Sequence, residues 1–418
     1  MRIGFLFNHD QIHQIAHSLP IALALARAGV EAEIVVATTN PRMTAEVLRL
    51  GDGLIGREIR LVELGLKRRR SKMATRVLES TIPATKLLIY GDNLEFFRSL
   101  DLLVVAEKTS LVLKTYYDIP GLKIVHTRHG AGDRAIGFDK ASAGFDHVMV
   151  SGSQIRDRLV RDAGVRAEAI SVVGYPKFDH VRAAPGIHLP NDDGRPVVLY
   201  NPHVSPHLSS WYAAGRKVLD WFADHDEYRL IFAPHVMLFE RPFVLTIDRF
   251  RLDRAGRIAE RYLRAPNIHV DLGSPASTNM LYTDRADIYL GDASSQVYEF
   301  LSRPRPCVFF NPNGLAWRGD PSFAHWTAGP VIDDVANLKP TLARAPYDHV
   351  TTYRPIQQAL FAERFDLKDE PSAVRAARVV TQVAGLAAPG LQAANTEARR
   401  APTQGATAQS MRSAERVA

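Results

Sequence analysis

Short β-type runs alternate with longer helical patterns along almost the whole chain, and this rhythm is the tightest constraint on its fold. In the first half the strand-like runs are Ile3–Phe7, Ala32–Ala37, Leu102–Ala106, Lys123–His126, His147–Val150 and Ala169–Val173. Most are nearly continuous apolar stretches, as in strands buried on both faces. Amphipathic or apolar helical patterns such as Ile12–Ala28 and Gln154–Ala163 lie between them. A strand, a crossover helix and a parallel strand make the repeating unit of a sheet covered on both sides. The rhythm breaks at Gly174-Tyr175-Pro176-Lys177 and across Pro185 to Pro196, which is rich in Pro, Gly and Asp. It then restarts with Val197–Tyr200, Arg229–Phe232, Asn267–Val270, Ile288–Leu290 and Cys307–Phe310. Helices are expected near Trp211–Ala223, Ile247–Leu263, Ser277–Thr283 and Gln296–Leu301.

A chain of 418 residues is too long for one ordinary core. The pattern therefore predicts an α/β protein of two tandem Rossmann-like, doubly wound domains facing a cleft. Residues 1–184 form the expected N-terminal acceptor domain and 185–384 the C-terminal nucleotide-donor domain. Residues 385–418, poor in aromatics and rich in Ala, Gln, Thr and Arg, are expected to be a disordered tail. No apolar stretch reaches the length of a membrane span, and the opening Met1–Asn8 runs directly into a strand pattern. A single cysteine, Cys307, excludes an internal disulfide. Together these features lead to the expectation of a cytoplasmic protein. The net charge of +7 favours anionic partners. With no helix-turn-helix, zinc-finger or ribonucleoprotein motif, nucleic acid is not expected among them. The run Lys67–Lys72 reads as a solvated face that also suits peripheral contact with an anionic lipid surface.

Three segments share one design, an apolar strand that ends in a polar turn. Ile288–Leu290 delivers Gly291-Asp292-Ala293-Ser294-Ser295, and a helix pattern follows at once. Backbone N–H groups at a helix start, beside hydroxyls, form a phosphate site, so Asp292, Ser294 and Ser295 are candidates for the donor phosphates. Glu299, one turn further on, is the candidate for a ribose hydroxyl. Lys123–Val125 delivers His126-Thr127-Arg128-His129-Gly130-Ala131-Gly132-Asp133-Arg134. There His129 is suited to take a proton from an acceptor hydroxyl, and Arg128 and Arg134 to pair with phosphate. Leu230–Phe232 delivers Pro234-His235, where His235 is placed to donate to a pyrophosphate as charge builds on the leaving group. The first loop carries His9, Asp10 and His13 and is expected to contact the acceptor. Its spacing matches no zinc signature, so neither a metal nor a cofactor is expected. The loop Asn201–His207 either contacts donor phosphates or shapes its turn.

Taken in order, these motifs resemble the CDP-glycerol glycerophosphotransferases of teichoic-acid synthesis, whose fold is GT-B-like. Arg128-His129-Gly130 is similar to the family's His-Gly turn and Pro234-His235 to its second-domain histidine turn. Asp292-Ala293-Ser294-Ser295, followed by Glu299-Phe300, resembles its Asp-x-Ser-Ser segment. Val173–Asp179 resembles the Gly-x-Pro-Arg/Lys-x-Asp element that closes its first domain. The resemblance implies His129 as base, with His235, Ser294 and Ser295 on the donor phosphates and Asp292 ordering their turn. Three positions depart from the family pattern: Ala293 replaces an aromatic, Arg128 replaces a tryptophan, and His235 precedes Val236 rather than proline. The implied activity is transfer of a glycerophosphate-like group from a CDP-activated donor to an envelope polysaccharide or lipid-linked acceptor. Alternatives are a nucleotide-sugar glycosyltransferase, a UDP-GlcNAc 2-epimerase-like enzyme using Asp10, Glu107 or Asp133, and a non-catalytic nucleotide- or glycan-binding module.

Overall fold

The computed structural model describes residues 1–8, 12–78, 84–128, 132, 135–181, 193–240, 243–246 and 251–391. The first half contributes β1 (Arg2–Phe7), β2 (Glu33–Thr38), β3 (Ile59–Glu63), β4 (Leu102–Val105), β5 (Lys123–His126), β6 (His147–Val150) and β7 (Ile170–Val172). They form one parallel sheet in the order β3-β2-β1-β4-β5-β6-β7. The second half contributes β8 (Val197–Asn201), β9 (Arg229–Phe232), β10 (Val244–Thr246), β11 (Arg251–Asp253), β12 (Ile268–Val270), β13 (Ile288–Gly291), β14 (Cys307–Phe310) and β15 (Val331–Ile332). Six of these form a second parallel sheet in the order β12-β9-β8-β13-β14-β15. In both sheets the order in which strands are added reverses beside the first strand, between β1 and β4 and between β8 and β13. In an open α/β sheet that reversal opens a crevice at the strands' carboxyl ends, where ligands bind.

Each sheet is buried on both faces. One face of the first sheet packs under the helix Ile15–Arg27, and the other meets Phe97, Leu113, Ile155 and Leu159. The second sheet is enclosed between a cluster built on Trp326, Tyr298 and Phe365 and one built on Trp211, Phe222 and Leu338. The near-continuous Val, Ile, Leu and Phe of the strands follow from this two-sided burial.

Three local expectations change. β3 and β15, both edge strands, were not anticipated; Ile59–Glu63 is interrupted by Arg60 and β15 has two residues. The helix expected over Ile247–Leu263 is replaced by the antiparallel hairpin β10/β11 and a short helix at Glu260–Arg264. Gly256, with φ +79°, stands where that helix would have continued. The third concerns the end of the chain. The helix Ser372–Ala384, expected with the second half, crosses back and packs on the helix Ile15–Arg27, adding Ala373, Ala376, Ala377 and Val380 to the first core. Most of the stretch 185–196 read as a domain boundary, and the expected tail from 392 onward, lie outside the described residues; the start of that tail, 385–391, is ordered instead, with Leu391 buried in the first core. Among the described residues no helix is long and apolar enough to cross a membrane.

The returning helix presents alanines to its partner, so the two backbones approach closely. Ala377 is fully buried there. Ala377→Leu overpacks this contact, and we expect a loss of about 1–3 kcal/mol in urea unfolding of the whole chain. Unchanged stability would show that the crossing helix is not part of the first core.

Candidate active site

The second switch point is organised by Asp292, which follows β13. Its side chain is fully buried. Oδ1 accepts from the His203 N–H at 2.8 Å, and Oδ2 accepts from the N–H and hydroxyl of Ser210 at 2.6 and 2.8 Å. Its carbonyl accepts from Nε2 of His325 at 3.1 Å and from Nε1 of Trp326 at 2.9 Å. Burial pushes the carboxyl pKa up to about 6, although the surrounding N–H donors favour the ionised form. Asp292 is therefore a brace behind the cleft wall. The expectation that its carboxylate meets the donor phosphates is corrected, because every direction it faces is already occupied by protein.

The braced segment carries a histidine onto the rim. β8 ends at Asn201, whose Nδ2 donates to the Ala233 carbonyl at 2.6 Å and so ties the ends of β8 and β9 together. His203 and His235 come next on the two strands, with ring centroids 5.8 Å apart. The Ser205 N–H donates to Nδ1 of His203 at 3.0 Å, and the Met237 N–H donates to Nδ1 of His235 at 3.3 Å. A ring nitrogen that accepts a backbone N–H carries a lone pair, so in each neutral imidazole the proton sits on Nε2. The fold thus presets two N–H donors side by side. In the sequence His203 lies in the loop expected either to contact donor phosphates or to shape its turn; its position two residues past a buried strand is the signal that singles it out.

Ser294 and Ser295 separate. Ser294 is buried and hydrogen-bonds to the Tyr289 hydroxyl, whereas Ser295 is exposed. A Cβ placed on Gly132, in the turn after β5, would stand 3.3 Å from Cβ of Ser295. The two motif turns therefore meet across the cleft, and glycine at 132 permits the approach. The helix that follows, Val297–Phe300, is a single turn with no side-chain cap. The helix start expected near Gln296 is thus present but short, and hydroxyl and imidazole groups lie beside it at this end of the sheet.

Glu299 is also corrected. It turns inward instead of facing the same side as Ser295, and Lys177 Nζ donates to its Oε1 at 2.5 Å in a pair whose side chains are 3% and 9% exposed. Its Oε2 is buried without a hydrogen-bond partner among the described residues. Lys177 belongs to Gly174–Asp179, the element read from sequence as closing the first half. In the structure each part of it is engaged. Tyr175 and Phe178 enter the second half's core. Asp179 Oδ2 accepts the Ala373 N–H at 2.7 Å, and Gly174, at φ +82°, leaves no room for a Cβ against Ser372.

Arg128 has a left-handed backbone, φ +49°, which swings its side chain back into the first half. Nη1 donates to the Gly137 carbonyl at 2.6 Å, and the guanidinium lies 4.5 Å from the Phe138 ring, with Arg158 4.0 Å from the same ring. It is therefore not aimed at the donor side of the cleft as expected. His9, Asp10, His129 and Arg134 lie outside the described residues; His13 falls in the short helix Ile12–Gln14, and its side chain lies outside them too. Among the described residues no group of three His, Cys, Asp or Glu is placed to hold a metal.

No family model matches the chain, and no curated protein matches it in sequence. Solved structures do match. The wall teichoic acid polymerase TagF superposes with a TM-score of 0.56 at 13% identity, over 91% of this chain and 88% of TagF. S. aureus MnaA, solved with UDP, gives a TM-score of 0.56 at 14% identity, over 92% of this chain and 97% of MnaA. The UDP-GlcNAc 2-epimerase of Neisseria meningitidis, bound to UDP-GlcNAc, gives 0.52 at 12% identity, over 91% and 99%. The chain has the GT-B-like fold, two Rossmann-like units about a cleft. At these identities the likeness is one of fold.

The buried pair at the joint has a measurable signature. Lys177→Met leaves an uncompensated carboxylate in a dry site and is expected to cost about 3–5 kcal/mol in urea unfolding. Adding Glu299→Leu restores most of that loss. A double variant no more stable than Lys177→Met would show that the two charges are not coupled.

Proposed function

We propose that this chain is a GT-B-fold transferase that moves a glycerophosphate-like group from a CDP-activated donor to an envelope polysaccharide or lipid-linked acceptor. The observation that carries the reading is the carboxyl end of the second sheet, where His203 and His235, each with Nδ1 engaged by backbone, have ring centroids 5.8 Å apart, and where the turn after β13 leaves Ser295 exposed. Preset N–H and O–H donors at a switch point suit a pyrophosphate whose negative charge grows as the bond to the transferred group breaks. The ordered resemblance from His126 to Leu301 supports cytidine and glycerophosphate as the donor chemistry. His129, three residues beyond the end of β5, is the base in this reading: it takes the acceptor hydroxyl's proton as that oxygen attacks the donor phosphorus, and CMP leaves. His235 and Ser295 hold the donor phosphates, Asp292 positions His203 and Ser210, and the closeness of Gly132 to Ser295 narrows the space in which water competes with the acceptor.

An epimerase would need cleft carboxylates for acid and base work. Of the three considered, Glu107 is the described one, and it forms an ion pair with Lys86 and accepts from the Thr109 hydroxyl. Its engagement favours transfer over epimerisation.

Thermal shift against CDP-glycerol, CDP, CMP, UDP and UDP-sugars tests the donor, since a ligand of the folded state raises the melting temperature. Stabilisation is expected from the cytidine series and is expected to weaken in His235→Ala. His129→Ala should lose transfer by at least about a hundredfold while binding nucleotide as before. A response to uridine ligands alone, with a UDP-sugar epimerised in the absence of acceptor, would replace the transferase with an epimerase.

The reading places the enzyme near lipid-linked acceptors, and the surface supports peripheral docking. The helix Arg69–Leu78 carries Arg69, Arg70, Lys72 and Arg76, with Met73 and Val77 left 70% and 72% exposed beside them. Cations flanking exposed apolar side chains fit an anionic bilayer surface. Sedimentation with phosphatidylglycerol vesicles is expected, with marked loss on changing Arg69, Arg70, Lys72 and Arg76 to Gln. Equal binding to neutral phosphatidylcholine vesicles would remove the electrostatic docking.

A further inference from the structure

A separate small pocket lies at the carboxyl edge of the first sheet. Its polar lining is His17, Thr127, Arg128, Ser151 and Tyr175, which come from four different elements, and Met149 is part of its apolar wall. No carboxylate lines it.

Three groups of this lining have hydrogen-bonding or charge capacity left for a ligand. Ser151 and Tyr175 are 9% and 6% exposed, yet neither hydroxyl has a hydrogen-bond partner among the described residues. Both residues line the pocket, and a hydroxyl with no protein partner there is available to a ligand. Arg128 is the third. It forms no ion pair among the described residues, and the nearby carboxylates are already committed. Asp139 pairs with Lys108 at 2.8 Å, and Asp162 pairs with Arg158 at 3.1 Å. Burial and the neighbouring Arg158 lower the Arg128 pKa to about 10, which still leaves it charged at neutral pH. A half-buried guanidinium with a second guanidinium nearby and no carboxylate of its own is a standing attraction for an anion. The N-terminus of the helix Ser153–Ala163 does not serve here, because Gly152 packs against the carbonyls of Glu363 and Arg364. The donors are side chains.

We infer that this pocket is a subsite for a phosphoryl group carried by the acceptor, held by Arg128 together with the hydroxyls of Ser151 and Tyr175. A tetrahedral anion offers several acceptor oxygens to donors arriving from different elements, whereas a planar carboxylate offers two. The pocket belongs to the first half and the joint, whereas the histidine and serine donors for the nucleotide lie on the second. The assignment to an acceptor rests on the transferase reading above. The subsite selects acceptors that end in a phosphate ester over neutral glycans.

The test is titration of the full chain with inorganic phosphate and with glycerol 3-phosphate, followed by phosphorus NMR line broadening, in parallel with CDP binding by calorimetry. The variants are Ser151→Ala and Tyr175→Phe, which remove one hydroxyl each, and Arg128→Met. We expect saturable binding of both phosphates, weakened roughly tenfold by Arg128→Met and several-fold by either hydroxyl variant. CDP should bind all four proteins equally and should not displace phosphate. Phosphate affinity unchanged in the three variants would overturn the pocket, as would absence of phosphate binding in a protein that binds CDP; either result leaves the transferase reading standing. Displacement of phosphate by CDP would give the pocket to the donor and overturn its assignment to the acceptor. Normal phosphate binding in a protein that binds no nucleotide would remove the transferase reading, and with it the acceptor assignment.

Discussion

The two halves of this protein are joined through a salt bridge with almost no access to water. Lys177 and Glu299, 122 positions apart in the chain, meet at 2.5 Å where the last helix of the first half enters the core of the second. Removing two charges from water is costly, and their attraction offsets that cost only when the geometry is good. The surrounding contacts supply it: Tyr175 and Phe178 fill the same core, Asp179 caps the returning helix, and Gly174 allows that helix to come close. A joint of this kind defines how one sheet edge addresses the other, and so defines the cleft.

A second buried carboxylate does the same at shorter range. Asp292 gathers the loop after β8 and, through its carbonyl, the segment with His325 and Trp326. Its own raised pKa marks the cost of that position. The result is a rim in which the chemistry-bearing groups are few and their proton positions are preset. Acidic residues brace this end of the sheet, while the imidazoles of His203 and His235 have Nδ1 fixed by backbone N–H groups and Ser295 is exposed.

Much of the architecture was legible because strands buried on two faces must be apolar throughout, and such runs stand out against helical periodicity. Eleven of the strands lie on runs visible in this way, among them Lys123–His126 and Ile288–Leu290. The short edge strands Ile59–Glu63 and Val331–Ile332 were not, since an edge strand is wetter and its pattern weaker. The stretch around Ile247–Leu263 read as helical because its arginines and leucines are good helix formers, but a hairpin and Gly256 claimed it. Among site residues, the sequence located the turns that carry Ser295 and His235, but not that Asp292, Glu299 and Arg128 engage protein partners, because a turn position does not reveal which way a side chain points.

The sequence alone determined that this chain folds as two parallel sheets with polar turns at their carboxyl ends, because strand periodicity and turn chemistry are local properties. Tertiary structure alone decided which polar residues face the cleft and which hold it together. Lys177 finds Glu299 and Asp292 finds Ser210 only once distant segments are packed. Whether a charged side chain braces or binds depends on the solvent it loses and the partners it gains, and both are set by residues far away in the chain.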